Sequence, residues 1–372
     1  MKAKNMTFIA RRSSMAAAAL LAIAGSTLAT SALAQSTEFT WYGRLDLGLE
    51  ANSNGSVSRT AVQNFASRLG IRGEHKLNDA LSGVFQIETG VAPDDTAQSK
   101  TLASRNSFVG LKSNVGGTLI LGTHDMPLKT LGGGAYTLWA EGDLEEVIVH
   151  GKASRVAIGN ANFDNVHTRK TNVLLYTSPK FFNTVGKLAF SPDEGKAAAA
   201  AGVPEYAKNM WGVSVEYNDG LFNAGLAAQQ QSNYIAPTAT ADGASMKAVK
   251  AAFGVKWQTL TAGIEASRLD NSRGKKTTNL LLTGAYGLDA LTFKASIGAS
   301  GESSDGAKDG VKGLALEADY AFDKAITVYT YYSRLSNDTN AKGTFTAADN
   351  FPAVAKAGDD PRAFGLGIRY NF

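Results

Sequence analysis

Residues 39–50 read Phe-Thr-Trp-Tyr-Gly-Arg-Leu-Asp-Leu-Gly-Leu-Glu. The odd positions Phe39, Trp41, Leu45, Leu47 and Leu49 are apolar, whereas Thr40, Tyr42, Arg44, Asp46 and Glu50 between them are polar. A period of two held over a dozen residues describes an extended strand with one apolar and one polar face. The end of the chain repeats it, with Phe364, Leu366, Ile368, Tyr370 and Phe372 alternating with Gly365, Gly367, Arg369 and Asn371.

Outward from these two stretches the same period recurs, for example in Trp211–Tyr217, Phe253–Trp257 and Leu314–Phe322. About sixteen such segments fill the chain, among them 39–52, 65–77, 80–91, 247–258 and 362–372, and no helical period of useful length competes with them. Short connections carry turn chemistry, as at Asn78-Asp79, Asn218-Asp219-Gly220 and Asp323-Lys324. Longer polar gaps alternate with them: Ser53–Asn64, Asp193–Ala207, Ser232–Met246 and Asn337–Pro361. The longest gap runs from about Asp125 to Val166. This rhythm predicts an antiparallel up-and-down meander whose strands are long enough to cross an outer membrane when tilted.

Alternation alone fits either a soluble sandwich with its apolar face inward or a transmembrane barrel with that face toward lipid. Three features favour the barrel. Alternation covers nearly every strand. The short-turn ends carry a girdle of Trp41, Tyr217, Trp257, Tyr286, Phe322 and Phe372. The last strand can pair with the first and so remove both edges.

Composition is consistent with export. Residues 1–34 hold a basic start (Lys2, Lys4, Arg11, Arg12), a short apolar run and an Ala32-Leu33-Ala34 cleavage signal, which together read as a signal peptide. Those four cations account for the whole formal net charge of +4; without them 33 Lys and Arg face 33 Asp and Glu. A nucleic-acid partner therefore has no support. The chain has no cysteine, which excludes disulfides and thiol chemistry. Its scattered histidines (His75, His124, His150, His167) have no ligand spacing, so neither a metal nor another cofactor is expected.

Several runs resemble the general diffusion porins of Gram-negative outer membranes, in particular their β-proteobacterial branch. They are Ala66-Ser67-Arg68-Leu69-Gly70-Ile71-Arg72-Gly73-Glu74, Leu81–Glu88, Arg105 through Leu111, Arg169 through Pro179, and the closing Ile368-Arg369-Tyr370-Asn371-Phe372. The resemblance implies a sixteen-stranded homotrimeric barrel, residues 35–372, set among outer-membrane lipids and passing small hydrophilic solutes and ions. It also implies that a loop, here about 125–166, folds inward as a constriction. Basic wall residues would be Arg68, Arg72, Arg105 and Arg169, with Tyr370 and Phe372 forming the signal read by the barrel-assembly machinery. The family's Pro-Glu-Phe-Gly segment is missing from this loop, so the acids Glu141, Asp143, Glu145 and Glu146 are chosen by charge and position. A substrate-selective pore remains open through Tyr329, Tyr331 and Tyr332, and an outer-membrane barrel enzyme is the more distant alternative.

Overall fold

The computed structural model describes residues 38–95, 101–132, 143–149, 168–195, 202–203, 205–272 and 274–372. The expected leader, Glu141, His150 and His167 lie outside these residues. Six strands precede the longest loop: β1 (Glu38–Ser53), β2 (Ser58–Asn64), β3 (Arg68–Lys76), β4 (Leu81–Gly90), β5 (Ser107–Ser113) and β6 (Gly117–Asp125). After it come β7 (Arg169–Thr177), β8 (Thr184–Ser191), β9 (Met210–Asn218), β10 (Phe222–Ile235), β11 (Ala244–Trp257) and β12 (Leu260–Asp270). The series ends with β13 (Lys276–Leu288), β14 (Leu291–Ser300), β15 (Val311–Ala321), β16 (Ile326–Asn337) and β17 (Arg362–Asn371).

All pairings are antiparallel between neighbours, and β17 returns to β1 with Leu47 opposite Ile368. The sheet therefore closes and leaves no edge. Its seventeen segments make sixteen crossings, because β2 and β3 both pair with β1 and are halves of one traverse.

The break between them is a β-bulge. Leu47 faces Asn64 and Arg44 faces Arg68, so three steps on β1 match four on its partner. Ala66 supplies the extra residue at φ 57°, and Ser67 Oγ accepts a 2.9 Å bond from the Asp46 amide. An inserted residue reverses the alternation: even positions face out on β2 (Val62) and in on β3 (Arg68). That reversal hid β2 from the period-two reading, and the expected gap Ser53–Asn64 shrinks to a hairpin at 54–57. The expected gap Ser232–Met246 also shortens, since β10 runs on to Ile235 and β11 begins at Ala244.

The faces are inverted relative to a soluble protein. Phe39, Trp41, Leu49, Leu226, Ile297 and Leu366 are exposed on the outside, while Asp46, Glu50, Lys250, Glu317 and Arg369 are buried on the inside. An apolar belt of this extent calls for hydrocarbon around it. The buried apolar clusters lie within the barrel, where loops pack on its inner wall. Phe65, Leu144, Val147, Ile148, Tyr331 and Phe345 share the largest of them.

Candidate functional site

One stretch of inner wall carries a ladder of arginines. β1 and β3 set Arg44 opposite Arg68, and Arg72 follows two repeats of the pleat further along the same face, beyond Gly70. Arg105, just before β5, joins them from the next hairpin. The carboxylate of Glu88 on β4 pairs with two of them: its Oε1 is 2.5 Å from Arg105 Nε and its Oε2 4.0 Å from Arg68 Nε. The Tyr42 hydroxyl donates to Glu88 Oε2 at 3.0 Å, and Arg72 lies over the Tyr42 ring at 5.1 Å. Arg68 and Arg105 keep about a quarter of their side-chain surface open to the lumen. Arg44 belongs to this ladder although no family motif marks it; its place on the polar face of β1 was the available signal.

Arg169 belongs elsewhere. Opposite Asp125 across the β6–β7 pair, it binds that carboxylate at 3.1 Å and Asn106 Oδ1 at 2.7 Å. Lys129 reaches Asp125 from the other side at 3.2 Å. This network ties down the root of the long loop.

From that root the loop follows the opposite wall. Pro127 starts a four-residue helix, α1 (Pro127–Thr130), packed against β8, β9 and β10. Leu131 continues into an apolar cluster with Ala227, Met246, Ala248 and Leu269. Further on, a π-turn at Glu145–Val149 lies against β12 to β15, with Leu144 filling the space over Gly313. Val149 O accepts from Ser267 Oγ at 2.5 Å.

A buried lysine fastens the two halves of this path. Lys250 on β11 donates to Leu131 O at 2.5 Å and to Glu145 at 2.5 Å, and its third partner, Glu265, is 2.9 Å away. An ammonium has three protons, and all three are used. Glu145 is thus an anchor rather than a free lumenal charge. Glu146 accepts from Thr346 Oγ1 at 3.2 Å, and the Asp143 carboxylate accepts from the Glu145 amide at 3.2 Å. Burial, and then the neighbouring Glu146 and Glu145, push the Asp143 carboxyl well above the usual carboxylate range.

Thr346 introduces a second inward element that the sequence did not suggest. The β16–β17 loop buries Ala341, Phe345 and Ala348 against Leu144, Val147 and Ile148. Its Asp349 accepts from Asn64 Nδ2 at 2.8 Å, across the bulge of the first hairpin.

The tyrosines left open by the sequence resolve into two groups. Tyr332 faces outward, half-exposed, while Tyr329 and Tyr331 point inward and are buried. Tyr331 lies over Gly365, its register partner, and donates at 2.6 Å to Glu50, which stands opposite Gly365 on β1. Tyr329 crosses Gly367 in the same way to reach Asp46 at 2.6 Å, and Arg369 holds that carboxylate from the other side at 2.8 Å. A Cβ at Gly365 or Gly367 would collide with these rings. Tyr42 makes a third such crossing over Gly70 to Glu88. These rings brace the wall where the barrel closes, and Tyr329 and Tyr331 offer no surface to a passing sugar.

The chain is similar to known proteins along nearly its whole length. A family model described as Gram-negative porin matches residues 16–340. Outer membrane porin N of Escherichia coli is 28% identical over 383 residues, covering 87% of this chain and 90% of that protein. Major outer membrane protein P.IB of Neisseria gonorrhoeae is 25% identical over 181 residues, 46% of this chain and 48% of its own. Among solved structures, the anion-selective porin from Comamonas acidovorans superposes with a TM-score of 0.74 at 18% identity, covering 91% of this chain and all of that one. OmpT of Vibrio cholerae, in its trimer form, gives 0.67 at 15%, with 91% and 100% covered. A closed antiparallel barrel with its apolar side outward, its charges inward and a loop folded along its inner wall is a passive diffusion channel, not an enzyme. The chain belongs to the Gram-negative porin family and is a channel of the outer membrane.

Proposed function

We propose that the lumen narrows to an electropositive constriction, so that the channel admits small hydrophilic solutes and favours anions over cations. The observation that carries this reading is the cluster of Arg44, Arg68, Arg72 and Arg105 on one stretch of wall, where Glu88 pairs with Arg105 and Arg68 and the next acid on that face, Glu74, is already paired with Lys112. On the facing side, among the described residues of the loop, Glu145 is paired with Lys250, Glu146 accepts from Thr346, and burial together with Glu146 and Glu145 holds Asp143 toward its neutral form. Guanidinium groups stay ionised at any working pH, so the wall's charge is constant. A permeant ion about 4 Å from one unit charge in water gains or loses about 1 kcal/mol, enough to bias flux several-fold. Solute size is set by the loop segments 126–132 and 143–149 together with the β16–β17 loop.

The mature barrel begins near Gln35 once the leader is removed, and its terminal Tyr370 and Phe372, rings 5.8 Å apart on the outer face, serve as the signal for the barrel-assembly machinery. It works as a homotrimer among outer-membrane lipids; the trimer form of the similar Vibrio barrel supports that assembly.

Single-channel recording in planar bilayers tests the reading. Stepwise, ohmic currents without saturation by any one sugar support a general pore. Saturation by one solute would replace it with a selective one, and absence of conductance would refute a channel.

A further inference from the structure

The outer face of the barrel is not uniformly apolar. At the end where the long loops emerge, three adjacent strands each turn a cation outward: Lys312 on β15, Arg334 on β16 and Arg362 on β17. Arg334 and Arg362 are direct cross-strand partners, and Lys312 is diagonal to Arg334, whose own partner on β15 is Leu314. Like charges set opposite one another on one face destabilise a sheet. One acid offsets them, Asp360, 2.9 Å from Arg334. Lys312 and Arg362 have no ion-pair partner among the described residues.

Directly below the cations, toward mid-membrane, lies a groove of about 400 Å³ lined by Leu280, Leu282, Ile297 and Leu314, with Lys312 and Arg334 at its mouth. A second depression, bounded by Tyr332, Phe364 and Arg362, adjoins it across β16 and β17. At the same end of the barrel, β2 and β4 turn the neutral Thr60 and Thr89 outward, and the exposed Arg59 on β2 also lines the second depression. The opposite rim carries aromatics instead: Trp257, Tyr286 and Phe322 are all exposed there.

We propose that Lys312, Arg334 and Arg362 form a binding site for an acylated lipid with a net-anionic, phosphate-bearing headgroup. The headgroup is held by the three cations and the acyl chains lie in the grooves beneath. Cations at headgroup depth above an apolar channel match an amphiphile at both ends, a match that neither a soluble anion nor a neutral lipid reproduces.

The test is native mass spectrometry of the full barrel in detergent, titrated with phosphatidylglycerol or with phosphatidylcholine carrying the same acyl chains. The site predicts preferential retention of phosphatidylglycerol, weakened roughly fivefold by Lys312→Ser and again by Arg362→Ser, about 1 kcal/mol per cation. Arg362→Lys retains the lipid. Lys324→Ser, in the turn at the other rim, leaves binding unchanged, and glycerol phosphate without acyl chains does not displace the lipid. Unaltered single-channel conductance in each variant verifies that the barrel is intact. Equal retention of the two lipids would overturn the proposal. So would indifference to loss of Lys312 and Arg362, or displacement by glycerol phosphate.

Discussion

The two halves of the inner wall use the same alternation for opposite purposes. On β1 to β5 four inward arginines stand close together around Glu88, and Arg68 and Arg105 keep about a quarter of their side-chain surface open, while Asp46 and Glu50 on the same wall are buried and bonded. On β8 to β15 the inward charges are paired, and Lys250, beneath the loop, has no exposed side-chain surface. A charge left in the lumen acts on passing ions; a charge buried under a loop must be matched atom for atom or it destabilises the fold. The lesson is that inward position alone does not make a pore residue. What covers the side chain decides.

The sharpest way to break this contrast is at Lys250. Its replacement by Met leaves Glu145 and Glu265 without their shared cation, and removing one partner of a buried pair destabilises by roughly 3–5 kcal/mol. Thermal unfolding should record that loss, and single-channel traces should become noisy as the loop leaves the wall. Retention of both stability and quiet conductance would show that Lys250 does not fasten the loop. Next in size, Tyr331→Phe removes a buried hydrogen bond to Glu50, a loss of about 1.5–3 kcal/mol, read as a lower unfolding midpoint with conductance unchanged.

Smaller effects belong to transport itself. Shortening the β16–β17 loop across Phe345–Phe351 should raise conductance, since those residues pack on the constriction loop inside the barrel; unchanged current steps would place that loop outside the permeation path. Smallest is a pH effect. The Asp143 carboxyl, raised by burial and by Glu146 and Glu145, stays protonated above the ordinary carboxylate range near 4 and gains its charge as pH rises through the elevated value. Anion preference should therefore decline modestly toward alkaline pH in the parent channel, and Asp143→Asn should remove that slope. A slope that survives the substitution assigns the titration to another group.

Much of the barrel was legible because lipid and water enforce the period of two on nearly every strand, and Phe39–Glu50 already displays it. The reading failed where a backbone irregularity resets the phase: Ala66 at the bulge conceals Ser58–Asn64. It also could not follow long-range pairing. Arg68 and Arg105 are motif residues, but nothing local tells Arg169 to choose Asp125, Glu145 to choose Lys250, or Thr346 to meet Glu146. Such partners lie up to 200 residues apart in sequence. The glycines at 365 and 367 looked like mere polar-face spacers; their function as floor for Tyr331 and Tyr329 emerges only with the register of β16 on β17.

The arginine wall is tested most directly by the reversal potential across a potassium chloride gradient, measured for the parent channel and for the Arg68→Ser, Arg105→Ser double variant. An anion-favouring potential that moves several-fold in permeability ratio toward cations on removing the two guanidinium groups is the expected result. Identical potentials from the two proteins would contradict an electropositive constriction built on β1 to β5.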